Sequence, residues 1–118
     1  MREPPAIDAY GDGGFRVAGA WLEGSLLILA DTPRVWRPGT FADLEPGDFA
    51  DVLAAPRGAV EFVLLGTGPT QSLPPRAIRE ALRAAGLGLE FMATEAAART
   101  HNVLASQGRL FATALIAV

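Results

Sequence analysis

The chain has no cysteine and no lysine, and only one histidine and one tyrosine among its 118 residues. Each shortage removes a class of function. Without cysteine there is no disulfide, no thiolate nucleophile and no cysteine-ligated zinc or iron–sulfur site. With His101 as the single histidine, the common histidine-rich metal sites go as well. No spacing of Asp and Glu suggests an oxygen-only Mg²⁺ or Ca²⁺ site, so no metal and no cofactor is expected. Long apolar runs are also missing. No stretch of about 18 apolar residues occurs, so no transmembrane helix is expected. The opening MREPPAIDAYGDGG has no apolar core behind a basic start and does not read as a secretory signal. A cytoplasmic location is the expectation, with association at a membrane surface left open.

What is present suits one domain over residues 1–118, with a loose start over residues 1–6. Half of the residues are apolar, enough for one core at this length. All ten basic residues are arginine and the net charge is −3, with a pI near 5.0. That balance argues against a general nucleic-acid binder.

Patterning divides the chain into two halves. In the first, Phe15 to Trp21 and Ser25 to Ala30 are apolar runs split by Leu22-Glu23-Gly24, which reads as a β-hairpin. A short strand is expected near Ile7 to Tyr10. Asp31-Thr32-Pro33-Arg34 reads as a turn and Val35-Trp36 as a third short strand. Asp48 is an N-cap candidate for a short helix from Phe49 to Ala55. In the second half, Val60 to Leu65 and Leu87 to Met92 read as strands buried on both faces. Between them Pro74-Pro75 opens a helix that Gly86 closes. Thr94 is the N-cap candidate for a second helix, which Gly108 closes, and Arg109 to Val118 is the last strand. The expected fold is α/β, in three layers around a central mixed sheet. It joins an N-terminal hairpin region to a C-terminal β-α-β-α-β unit.

The run VEFVLLGTGPTQ looks like the entry to a nucleotide loop. A dinucleotide fingerprint fails because Gln71 stands where its third glycine is needed, and a Walker loop fails for want of lysine. Two readings stand. Gly66, Thr67 and Gly68 offer backbone N–H groups to an anion at the carboxyl end of a strand. Alternatively, the glycines only let the chain turn and pass close to a neighbour.

A second polar cluster, Arg99-Thr100-His101-Asn102, interrupts an alanine-rich helix. Helical spacing puts Ala96, Arg99 or Thr100, and Val103 on one face, so Arg99 and Thr100 are expected to point inward, with Asn102 to one side. An inward Arg99 needs carbonyls, a carboxylate or a ligand anion. No nucleophile elbow accompanies His101, and no catalytic residue is assigned. Arg76, Arg79 and Arg83 form a stripe on the first long helix, either a solvated face or a surface for an acidic partner. Trp21 and Trp36 flank the hairpin region. Trp36, with the arginine stripe, is the candidate for a partner surface.

The ordered pair of Gly66-Thr67-Gly68 and Arg99-Thr100-His101-Asn102 belongs to a longer set. It begins with Gly14-Phe15-Arg16-Val17 and Glu23-Gly24-Ser25-Leu26-Leu27, and it includes Leu87-Gly88-Leu89-Glu90 and Ala114-Leu115-Ile116. Over residues 7 to 118 this set resembles a family of small α/β domains. Its better-known relatives are a mitochondrial complex I assembly factor and an adipogenesis-associated protein. The resemblance implies a mixed sheet in three layers, a frequent Tyr at the place of His101, and no established reaction for bacterial members. Two functions follow. One is a non-enzymatic accessory domain, monomeric or homodimeric, that binds a protein partner during assembly of a membrane respiratory complex. The other is a small-ligand or anion-binding domain, or an unrecognised enzyme, built on the Gly66–Gly68 loop and Arg99.

Overall fold

The computed structural model describes residues 4–118, so the first three residues of the expected loose start lie outside the described residues. Strands β1 (Ile7–Gly11), β2 (Gly14–Val17) and β3 (Ala20–Glu23) form a three-stranded antiparallel sheet. Strands β4 (Ser25–Leu29), β5 (Thr32–Trp36), β6 (Phe62–Gly66), β7 (Gly88–Met92) and β8 (Phe111–Leu115) form the central sheet, in the order β5-β4-β8-β6-β7. The central sheet is mixed. β4 pairs antiparallel with β5 and β8, while β6 lies parallel to both β7 and β8. Helices α1 (Ala50–Leu53), α2 (Arg76–Ala84) and α3 (Thr94–Ser106) complete the fold, and β6-α2-β7-α3-β8 is the expected alternating unit.

Strand alternation makes the layers. Leu27 and Leu29, Val63 and Leu65, and Ala112 and Ala114 face one side, where they meet Phe49, Val52, Ile78 and Leu82. Leu26 and Ile28, Phe62 and Leu64, and Phe111 and Leu115 face the other side. There they meet α3 through Ala97 and Ala98 and the small sheet through Ile7, Phe15 and Val17. A strand covered on both faces is apolar at nearly every position, which is why β6 reads as an unbroken run and β4 and β8 carry one small hydroxyl each, Ser25 and Thr113, both hydrogen-bonded. Burying each such Leu, Ile or Phe stabilises the fold by about 1.5–3 kcal/mol.

The first half differs from expectation at its turns. The hairpin does not turn at Leu22-Glu23-Gly24. Val17 pairs with Ala20, and the turn is Ala18-Gly19, with φ of 48° and 83°. Asp12-Gly13, with φ of 52° and 79°, joins β1 to β2, and Ala30-Asp31, with φ of 53° and 62°, joins β4 to β5. Positive φ at both central residues matches the right-handed strand twist, so each turn spans two residues. Gly24 instead marks the step from one sheet to the other, with φ of 98°. Asp31 to Arg34 is therefore not one turn, because Thr32 and Pro33 already lie in β5, where Pro33 pairs with Ile28. Proline is tolerated there because β5 is an edge.

Two further corrections follow from packing. β7 is not buried on both faces: it is an edge strand with Gly88 and Glu90 exposed. Asp48 is not an N-cap. It lies in a 3-10 turn over Pro46–Phe49 and reaches back to the Glu45 N–H at 2.8 Å. There it receives the Arg37 guanidinium, with Nε at 2.5 Å and a terminal nitrogen at 2.7 Å. That hydrogen bond, reinforced by the Glu45 N–H and the Arg37 charge, holds the Asp48 carboxyl below its ordinary value of 3.8 despite the cost of burial.

Candidate functional site

The Gly66 loop sits where open α/β sheets often bind ligands, at the carboxyl ends of β6 and β7. Its polar groups are turned on one another. Thr67 N–H donates to the Met92 carbonyl at 2.8 Å, and Gly68 N–H donates to Thr94 Oγ1 at 2.9 Å. Thr94 Oγ1 in turn donates to the Ile116 carbonyl at 2.7 Å. Thr67 is 2% exposed, and its hydroxyl donates to the Thr70 carbonyl at 2.6 Å while accepting the Ser72 N–H at 3.1 Å. The N–H groups of Thr67 and Gly68 are thus already engaged, and Pro69 has none.

The glycines have local reasons. A Cβ on Gly66 would stand 2.8 Å from Leu115 Cδ2 and 2.9 Å from Thr94 Oγ1. Gly68 takes φ of 103°, which an L side chain rarely adopts. Close packing and a sharp turn account for both.

Helix α3 turns a different face inward than its spacing suggested. Thr94, Ala97, Ala98 and His101 are buried, while Val103 is 55% exposed. Arg99 points away from the core and pairs with Glu95 one turn earlier at 3.1 Å. Inward burial of a guanidinium is costly without a partner, and the alanines fill that face instead. Thr100 is half-buried, with Oγ1 3.5 Å from Met92 Sδ. Asn102 exchanges two hydrogen bonds with the backbone of Ile7: it accepts Ile7 N–H at 2.9 Å and donates to the Ile7 carbonyl at 2.9 Å. The loop and the helix therefore meet through Thr94. Arg99 and Asn102 serve other contacts.

His101 is 1% exposed and has both ring nitrogens engaged. Nε2 lies 2.8 Å from the Pro5 carbonyl and Nδ1 lies 2.7 Å from Thr113 Oγ1. A carbonyl only accepts, so Nε2 carries the proton and Nδ1 accepts from Thr113. Burial pushes the imidazole below its ordinary value of 6.5, against the opposing pull of the Pro5 carbonyl and the Asp31 charge. A ring so enclosed has no free nitrogen for general-base work.

The partner candidates divide. Trp36 is buried at 5% exposure, stacks edge-on against Phe49 with ring centroids 5.5 Å apart, and donates its Nε1–H to the Asp48 carbonyl at 3.0 Å. Its ring anchors the layer over the central sheet, a correction to its role as an exposed anchor. Trp21, at 46% exposure, is the free tryptophan, and its ring covers Gly14. In the stripe, Arg76 and Arg83 flank Glu80 at 3.9 and 3.2 Å. Arg79 turns back to donate to the Pro74 carbonyl at 2.9 Å.

A further opening lies at the opposite end from the Gly66 loop, before the amino ends of β6 and β7. It is a cleft of about 510 Å³ lined in part by Leu53, Arg57, Glu61, Gly86 and Leu87. Nothing in its local sequence marked it, because its walls come from the end of α1 with the turn after it and from the end of α2, brought together by β6–β7 pairing. Among the described residues no group of three or more His, Asp or Glu side chains could hold a metal ion.

A family model described as "Protein of unknown function (DUF498/DUF598)" matches residues 7–116. An uncharacterised protein of Rhodobacter capsulatus is 40% identical over 93% of this chain and 82% of its own length. NADH dehydrogenase [ubiquinone] 1 alpha subcomplex assembly factor 3 of Bos taurus is 34% identical over 98% of this chain. The chain spans 64% of that bovine relative. A crystal structure described as an outer membrane protein from Bartonella henselae superposes with a TM-score of 0.89, at 34% identity over 98% of this chain and 96% of that one. No helix among the described residues is long and apolar enough to cross a membrane.

Proposed function

This chain belongs to the DUF498/DUF598 family, and on that premise we propose that it is a non-enzymatic accessory domain that assists assembly of a membrane-bound NADH dehydrogenase by holding a protein partner. The observation that carries the reading is the match to assembly factor 3 along nearly the whole chain. The site geometry supports it. The loop that would serve a nucleotide is closed on itself, and the single histidine is locked between Pro5 and Thr113. The place of action is the cytoplasmic side, at the membrane surface where such a complex is built.

The test is a deletion strain of the source organism, examined by native gels for assembled NADH dehydrogenase. Loss of the full complex, a smaller subassembly in its place, and rescue by the intact chain are expected. A normal amount of assembled, active complex in the deletion strain would remove this reading. Reversing Arg76, Arg79 and Arg83 together in the rescuing copy asks whether the helical stripe is part of the partner surface. Full rescue by that variant excludes it.

A further inference from the structure

Two sheets present four edge strands, and three of them are guarded. β1 carries a bulge between Ile7 and Ala9, and Asn102 pairs with Ile7 along its outer side. β5 contains Pro33, and β3 and β5 lie against each other. Bulges, prolines and covered backbones are the usual means of stopping a sheet from growing. Among the described residues β7 has no bulge, no proline and no hydrogen bond to its outer backbone; the charge of Glu90 is its one guard against indiscriminate pairing.

The pairing of β7 with β6 says which of its backbone groups stay free. Gly88 N–H donates to the Glu61 carbonyl at 3.0 Å, and the Met92 carbonyl accepts Thr67 N–H at 2.8 Å. Hydrogen bonding alternates along a parallel strand, so Gly88, Glu90 and Met92 face β6. The N–H and C=O of Leu89 and Phe91 therefore point outward from the sheet. The side chains of Leu89 and Phe91 are half-buried on the α2 side, where they extend the core to the edge. Glu90 lies on the opposite face, exposed and in no ion pair among the described residues.

We infer that β7 is a strand-addition edge for a partner protein: an extended segment pairs with the backbone of Leu89 and Phe91 and sets a Lys or Arg beside Glu90. Main-chain bonds supply the affinity, and alternate side chains supply the selection. Glu90 also argues against a second copy as the occupant. Antiparallel pairing of two β7 strands that uses all four outward groups puts Glu90 opposite Glu90, and like charges directly opposed are destabilising. This inference rests on the reading of the chain as a protein-interaction domain.

The test uses the purified chain, isotopically labelled, and two synthetic nine-residue peptides of alternating threonine and valine. One has a central lysine and the other a central glutamate. The lysine peptide is expected to shift and protect the Leu89 and Phe91 amides, and to bind about fivefold more tightly than the glutamate peptide, the scale of a cross-strand charge pair. Glu90→Lys, an exposed change that leaves the core intact, is expected to reverse that preference. No response of these two amides at millimolar peptide overturns the inference, and so does a response confined to β3 or β5. Concentration-dependent shifts of the same amides without peptide would make a second copy the occupant and overturn it as well. Peptide binding with normal complex assembly in the deletion strain would keep the edge and remove the respiratory partner. The reverse pair of results would keep the assembly reading and remove β7.

Discussion

Gly68 and Thr94 exchange two hydrogen bonds: Gly68 N–H donates to Thr94 Oγ1 at 2.9 Å, and Thr94 N–H donates to the Gly68 carbonyl at 2.8 Å. The same Oγ1 donates onward to Ile116. One hydroxyl thus ties the β6 loop, the start of α3 and the end of the last strand, inside a site that is fully closed to solvent at Thr94. The candidate ligand loop is a structural knot.

Thr94→Val tests the knot. It keeps the shape and removes both hydroxyl bonds, leaving a buried N–H without its partner. A loss of about 1–3 kcal/mol is expected in urea unfolding. Thr94→Ser should recover most of it. A Val variant as stable as the parent would show that the loop does not need the hydroxyl.

Asn102 serves as one more rung of β1. Asn102→Ala should lower stability by about 1 kcal/mol and speed proteolytic cleavage near Ile7. Asn102→Asp should not restore protection, since a carboxylate cannot donate to the Ile7 carbonyl. Unchanged cleavage in both variants would count against this role.

His101 gives the fold a defined pH response. Its folded-state value is depressed by burial, so in the window below 6.5 the unfolded chain binds more protons than the folded one. The stabilisation is therefore present above 6.5 and is lost as pH falls through the lower folded value. His101→Gln should flatten that part of the profile. Asp48 acts at a lower pH. Its contribution is present above 3.8 and disappears as its depressed value is passed, so it should persist in His101→Gln and vanish in Asp48→Asn. A profile unaffected by His101→Gln would place the titration elsewhere.

Arg99→Met removes only an exposed pair with Glu95. Surface pairs of this kind contribute little. The thermal midpoint should stay within error of the parent, with or without phosphate, nucleotides or carboxylates present. A ligand-dependent shift that Arg99→Met abolishes would return Arg99 to a binding role.

Much of the fold is legible in the chain itself. Apolar runs predict β6 and β8, because a strand buried on both faces admits a polar residue only where a partner meets it, as His101 meets Thr113. Pro74-Pro75 and Gly86 bracket α2 for local steric reasons, and the missing lysine and cysteine exclude their chemistries outright. The Asp12-Gly13 pair also signals a tight hairpin turn. Tertiary structure decided the rest. Helical spacing could not choose between the Arg99 and Ala97–His101 faces of α3, because the choice depends on which one the sheet can cover without desolvating a charge. The sequence of Trp36 does not tell a core ring from an exposed one; the 3-10 turn carrying Asp48 buries it. Whether the amides of Gly66–Gly68 faced a ligand rested on Thr94, a residue 26 positions from Gly68 that reaches the loop only once the sheet has formed. Local chemistry determines turns and strands, while long-range packing determines which polar groups remain free.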